Sequence, residues 1–151
     1  MQLDPASGWC KGVRHCPSPN FNARPGDEIS LLIIHNISLP PGQFATGKVQ
    51  EFFQNRLDVT EHPYFEGISA LRVSAHFLIE RDGTVTQFVS CFDRAWHAGV
   101  SSFEGRETCN DFSLGIELEG TDELPFTDAQ YQALTALTRQ LQIQFPAITR
   151  H

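Results

Sequence analysis

The sequence predicts an α/β fold, a central mixed β-sheet flanked by helices, and three observations carry that expectation. Strand-type patterns at 29–36, 73–80, 84–90 and 112–120 interleave with helical spacing at 46–57 and 127–145. Asp82-Gly83 separates two of the strand patterns and favours a tight hairpin turn there. No repeat, low-complexity tract or linker divides the 151 residues, so 1–151 reads as a single domain.

Residues 1–30 carry Pro5, Pro17, Pro19 and Pro25 among Gly, Ser and Asn, a composition that predicts an arm wrapped over the domain. Leu31, Leu32, Ile33 and Ile34 then form a continuous apolar run, which suits a strand covered on both faces and central in the sheet. Pro40-Pro41-Gly42 ends that segment. Thr46 can cap a short helix in which Val49, Phe52, Phe53 and Leu57 share one face. Along 73–80, Val73, Ala75, Phe77 and Ile79 alternate with Ser74, His76 and Leu78. Residues 112–120 alternate again, with Leu114, Ile116 and Leu118 on one face and Gly115, Glu117 and Glu119 on the other. Thr127 and Gln130 supply a capping box ahead of Tyr131, Leu134, Leu137 and Leu141, predicting the longest helix, which Pro146 stops.

Eleven Lys and Arg against 18 Asp and Glu leave a net charge of −7, which removes the attraction that drives binding to nucleic acids and anionic membranes. Neither is an expected partner. No segment approaches the roughly 20 apolar residues of a membrane span. The first residues do not read as a basic leader followed by an apolar block, so a cytoplasmic location is expected. Cys10, Cys16, Cys91 and Cys109 lack paired Cys-x-x-Cys spacing, and reduced thiols are expected.

His35 follows the apolar run, at the end of a strand where α/β sheets commonly bind ligands; the alternative is a histidine satisfied by the backbone. Glu117 and Glu119 share a strand face, so one carboxylate raises the pKa of the other and makes a general base, or the pair is a solvated acidic face. The six histidines show no ligand spacing of the helical or His-x-His kind, so spacing predicts no metal site. Arg94-Ala95-Trp96-His97-Ala98-Gly99 has the composition of a pocket wall, although Trp96 suits a core equally well. Tyr64, Arg72 and His76 read as a packing edge, a solvated cation and a hydrogen-bonded strand residue, and Lys48 and Arg106 as surface charges. The sequence has no phosphate loop, dinucleotide-binding glycine fingerprint or nucleophile elbow, which weighs against nucleotide and serine-hydrolase chemistry.

Four blocks resemble one family: Ile34-His35-Asn36-Ile37-Ser38-Leu39-Pro40-Pro41-Gly42, Val73-Ser74-Ala75-His76, the Trp96-His97 block, and Asn110-Asp111-Phe112-Ser113-Leu114-Gly115-Ile116-Glu117-Leu118-Glu119-Gly120-Thr121-Asp122. By these blocks the chain is similar to the AmpD-type N-acetylmuramoyl-L-alanine amidases of the peptidoglycan-recognition fold. The resemblance implies a zinc (Zn2+) hydrolase that cuts the amide between anhydro-N-acetylmuramic acid and L-alanine in muropeptides during cell-wall recycling. It implies His35 as a zinc ligand, Glu117 as the general base, and a groove lined by Asn36, Tyr64, Arg72, His76 and Trp96, with Arg72 meeting muropeptide carboxylates. The implied partner is the anhydro-muropeptide alone, bound by a monomer.

In one respect the sequence departs from that pattern. Family members continue for a few tens of residues past the long helix, through a Gly-His block with a second ligand and on to a lysine and an aspartate ligand. His151 lacks the preceding glycine and is not equated with that second ligand. The expectation is therefore an amidase domain without its C-terminal tail. The competing expectations are a metal-free muropeptide-binding domain and an inactive fragment.

Overall fold

The computed structural model describes residues 1–149. Five strands form the main sheet: β1 (Arg14–His15), β2 (Leu31–Ile37), β3 (Phe77–Ile79), β4 (Val85–Gln87) and β5 (Ser113–Glu119). Their order is β1-β4-β3-β5-β2. β5 runs parallel to both β2 and β3, β3 is antiparallel to β4, and β1 is parallel to β4, so the sheet is mixed as expected. Three helices accompany it: α1 (Lys48–Phe53), α2 (Pro63–Ile68) and α3 (Asp128–Gln144).

The two faces of the sheet carry separate cores. On one face Phe77, Ile79, Leu114, Ile116 and Leu118 pack with Leu137, Leu141 and Phe145 from α3 and its C-terminal end. On the other, Leu78 packs with Val49, Phe52 and Phe53 of α1 and Phe65 of α2. Each fully buried side chain of this size contributes about 1.5–3 kcal/mol. The capping box at Thr127 is present: its side chain accepts from the Gln130 backbone while the Gln130 side chain accepts from the Thr127 backbone. The turn at Asp82-Gly83 also forms, with Gly83 at a φ of 85° and Asp82 Oδ1 accepting from the Thr84 N–H.

The structure corrects the placement of one strand. β2 lies at the edge of the sheet, paired among the described residues with β5 alone, and its Ile34 is 41% exposed. An apolar run shows that both faces can be covered but carries no information about which edge is paired. The helix expected over 46–57 is shorter, because Gly47 takes the N-cap position and Asn55 turns at positive φ, leaving Leu57 outside. The expected strands 73–80 and 84–90 contract to β3 and β4. Helix α2 was not anticipated. Its start is marked by Pro63 in the first turn and by His62, whose Nδ1 accepts from the Tyr64 N–H, a cap that is not among the usual Ser, Thr, Asp and Asn.

The N-terminal arm is tied down through one buried amide. Gln87 accepts from the Cys10 N–H at 2.7 Å and donates to Gly8 and Val89 carbonyls. Arg24 continues the anchoring, donating to the carbonyls of Asn110, Asp111 and Ser113 and so holding the approach to β5.

Candidate active site

Parallel pairing sets Glu117 directly opposite His35, and in the same row Glu117 pairs with Leu78 of β3. Cross-strand partners in register point to one face, so the imidazole and the carboxyl are neighbours on the α1–α2 side of the sheet, with neighbouring strands about 4.8 Å apart. Ser113 and Gly115 precede Glu117 on that face at the two-residue period of the strand.

Glu117 is 8% exposed, and its Oε2 has no hydrogen-bond partner among the described residues. Removal from water disfavours the carboxylate and pushes its pKa up to about 7. Burial alone is the cause. The expected push from Glu119 does not contribute; Glu119 accepts from the Ala45 and Arg81 backbone N–H groups and thereby joins two loops. His35 is partly buried, and desolvation lowers its pKa, which favours the neutral ring.

A second imidazole stands beside the first. His97 Nδ1 lies 3.0 Å from His35 Nε2, and His97 Nε2 lies 3.2 Å from Ser113 Oγ. The His97 ring rests on the bare backbone of Gly115, where a Cβ would come within 2.4 Å of its Cγ. Asn110 Oδ1 accepts from the backbone N–H groups of both His97 and Ala98. The Trp96-His97 motif marked this segment as a pocket wall, but the pairing of His97 with His35 and the reason for glycine at 115 were not visible in it.

Of the expected groove residues, the structure moves His76 inside. It is fully buried, accepting on Nδ1 from the Gly115 N–H, and this leaves Nε2–H to donate to the Asp93 carbonyl. Desolvation, and then the Arg24 guanidinium beside it, pull its pKa down to about 3. A ring enclosed in this way supports β3 and β5 and cannot line a groove. Asn36 and Tyr64 do share an open cleft of about 480 Å³ with Ile68, Leu71, Val73 and Asp122. Asn36 donates to Asp122 across it at 2.8 Å. Arg72 is exposed next to this cleft, and its guanidinium donates to the carbonyls of Ser69 and Leu71. Trp96 is held by a bond from Nε1 to Asn22 at 2.7 Å. Lys48 pairs with Glu51 and Glu61, and Arg106 pairs with Glu28 and covers the Phe112 ring.

A catalytic zinc takes three protein ligands and keeps a fourth position open. The chemistry at the β2–β5 row fits part of such a site: an imidazole inclined to neutrality with its Nδ1 unbonded among the described residues, beside a buried carboxyl with an unpartnered oxygen. The described residues do not bring three His, Cys, Asp or Glu side chains together around one point. His151 lies outside the described residues.

Comparison with known proteins defines the class. The family model for N-acetylmuramoyl-L-alanine amidase matches residues 25–151, and the chain belongs to this family. It is 57% identical over 152 residues to the 1,6-anhydro-N-acetylmuramyl-L-alanine amidase AmpD of Citrobacter freundii, an alignment that spans 100% of this chain and 80% of that relative. The crystal structure of a selenomethionine AmpD derivative superposes with a TM-score of 0.95 at 56% identity, covering 98% of this chain and 82% of the other. A more distant match is the Escherichia coli N-acetylmuramyl-L-alanine amidase AmiD in complex with the substrate anhydro-N-acetylmuramic acid-L-Ala-D-gamma-Glu-L-Lys. That match has 26% identity and a TM-score of 0.53, over 80% of this chain and 45% of that one.

Proposed function

We propose that this protein hydrolyses the amide between anhydro-N-acetylmuramic acid and L-alanine in anhydro-muropeptides, as a zinc-dependent cytoplasmic step of peptidoglycan recycling carried out by a monomer. The observation that carries this reading is the buried Glu117 set opposite His35 in a chain 57% identical to an amidase of that specificity. A carboxyl whose pKa is lifted to about 7 is tuned for general-base work near neutral pH, taking a proton from the attacking water and returning it to the leaving amine. Leu78 on its inner side keeps that carboxyl dry, which sustains the shift. His35 would hold the metal through a ring nitrogen. When bound, zinc supplies Lewis-acid polarisation of the amide carbonyl and acidifies water. The cleft containing Asn36, Tyr64 and Asp122 begins at the residue after His35, and would offer hydrogen-bonding and apolar surface to part of the muropeptide.

The test combines metal content with peptide release. Zinc retained after dialysis, together with release of L-alanine-terminated peptide from an anhydro-muropeptide, is the expected result. Glu117→Gln should lower the turnover rate about 10²–10⁴-fold with little change in muropeptide affinity. Unchanged turnover in that variant removes Glu117 from the base role. Saturable muropeptide binding that is indifferent to a chelator and unaccompanied by cleavage overturns the amidase reading in favour of a binding domain.

A further inference from the structure

His97 is built into the protein more rigidly than a wall residue needs to be. Its backbone N–H and that of Ala98 are both held by Asn110 Oδ1, its ring lies on Gly115, and each ring nitrogen has a partner. The ring is half-buried and stands edge-on to the rings of His35 and His76. A neutral imidazole has one N–H and one lone pair, so the contacts from Ser113 through His97 to His35 must all point the same way.

Two polarities satisfy that condition. In the first, His35 donates Nε2–H to His97 Nδ1, and His97 donates Nε2–H to Ser113 Oγ. In the second every bond is reversed, and His35 carries its proton on Nδ1. The first places both rings in the Nε2–H tautomer, the form a free neutral imidazole prefers, whereas the second needs both in the less stable form. Only the first leaves His35 Nδ1, which has no partner among the described residues, with a lone pair facing outward.

We infer that His97 is a positioning residue for His35: by accepting the His35 Nε2–H while seated on Gly115 and bonded to Ser113, it fixes the tautomer and ring orientation that present Nδ1 to a metal ion. This deepens the proposed zinc function and rests on it for its purpose. The hydrogen-bond relay has a readout of its own that needs no bound metal. Outer partners of this kind tune metal affinity by roughly 10–100-fold. Gly115 has a double part in the arrangement, since its N–H fixes His76 and its missing side chain makes room for His97.

The experiment is two-bond 15N–1H correlation of the histidine rings in the metal-free, 15N-labelled full chain at about pH 8, where histidine rings are neutral. The expected spectrum shows His35 and His97 both as Nε2–H tautomers with a slowly exchanging His35 ring proton. His97→Leu should release the His35 ring proton to fast exchange and weaken binding of zinc alone, titrated against a chromophoric chelator, by about 10-fold or more. His97→Asn, whose Oδ1 can take the place of Nδ1 as acceptor, should restore both. A His35 proton on Nδ1 in the unaltered chain overturns the inference, as does an unchanged His35 signature in a folded His97→Leu variant. If His97→Leu fails to fold, the unaltered chain and His97→Asn decide, because both must show the protected Nε2–H. A protected relay in a chain that takes up no zinc overturns the metal reading and leaves the relay standing.

Discussion

Glu117 owes its altered acidity to the lack of compensation around it. No cation or donor among the described residues offsets its burial, and the free energy of ionising it inside the sheet is charged against the folded state. Between the ordinary value of 4.5 and the folded value of about 7, the folded chain holds a proton that the unfolded chain has released. Stability from this group is therefore complete below about pH 4.5 and lost as pH rises through 7. Glu117→Gln in the metal-free chain should match the parent near pH 4.5 and exceed it at pH 8 by about 2–3 kcal/mol, read by urea denaturation at the two pH values. Gly115→Ala should cost about 1–3 kcal/mol by driving a methyl into the His97 ring, and should perturb the His97 and His35 ring signals in the same sample. At this scale the sequence was informative about identity and poor about environment. His35 and Glu117 stood out by strand position and by family resemblance. That Glu119 ties loops together, that His76 is sealed inside and that His97 touches His35 depends on contacts from segments far apart in the chain, which periodicity does not record.

The helices and strands that were legible are those whose local signals agree with their tertiary surroundings. Helix α3 has a reciprocal cap, an apolar stripe and a proline beyond its end, and it forms where those signals place it. Thr127 also donates from Oγ1 to the Arg81 carbonyl at 2.7 Å, so it joins the helix start to the hairpin turn as well as capping it. Thr127→Ala should therefore cost about 2 kcal/mol, at the upper end for a lost cap, with an unchanged denaturant m-value as the mark of a pure stability effect. β2 is legible as a strand, but its place at the sheet edge is not. Its Leu32 and Ile33 are partly buried on opposite faces while its outer edge stays unpaired among the described strands, and composition alone cannot separate those situations. Helix α2 escaped notice because six residues with an atypical cap give too little pattern for a helical period to emerge.

At the level of the whole molecule, the fold class followed from interleaved patterns, and the family from four blocks spread over the chain. The shape of the cleft did not, since it depends on where the loops after β2 and α2 come to rest. The cysteines illustrate the same limit. All four are free, and Cys10, Cys91 and Cys109 are buried. Burial pushes the Cys10 thiol up to about 11 and raises Cys91 well above its ordinary value. An aromatic disulfide reagent added to the native protein at neutral pH should therefore leave Cys10 and Cys91 unmodified for as long as the fold persists, and should label them together on unfolding in urea. Early labelling of Cys10 alone would show that the N-terminal arm detaches independently of the sheet.

The in-register pairing of β2 with β5 also has a kinetic meaning. His35 and Glu117 belong to segments with two α-helices and two hairpins between them, and a parallel pair cannot be closed by a short turn. Their meeting requires closure of that long loop, an entropic cost that the local helices and the β3–β4 hairpin do not carry. Until that loop closes the two side chains are not neighbours, so whatever the pair supports arrives only with the finished sheet.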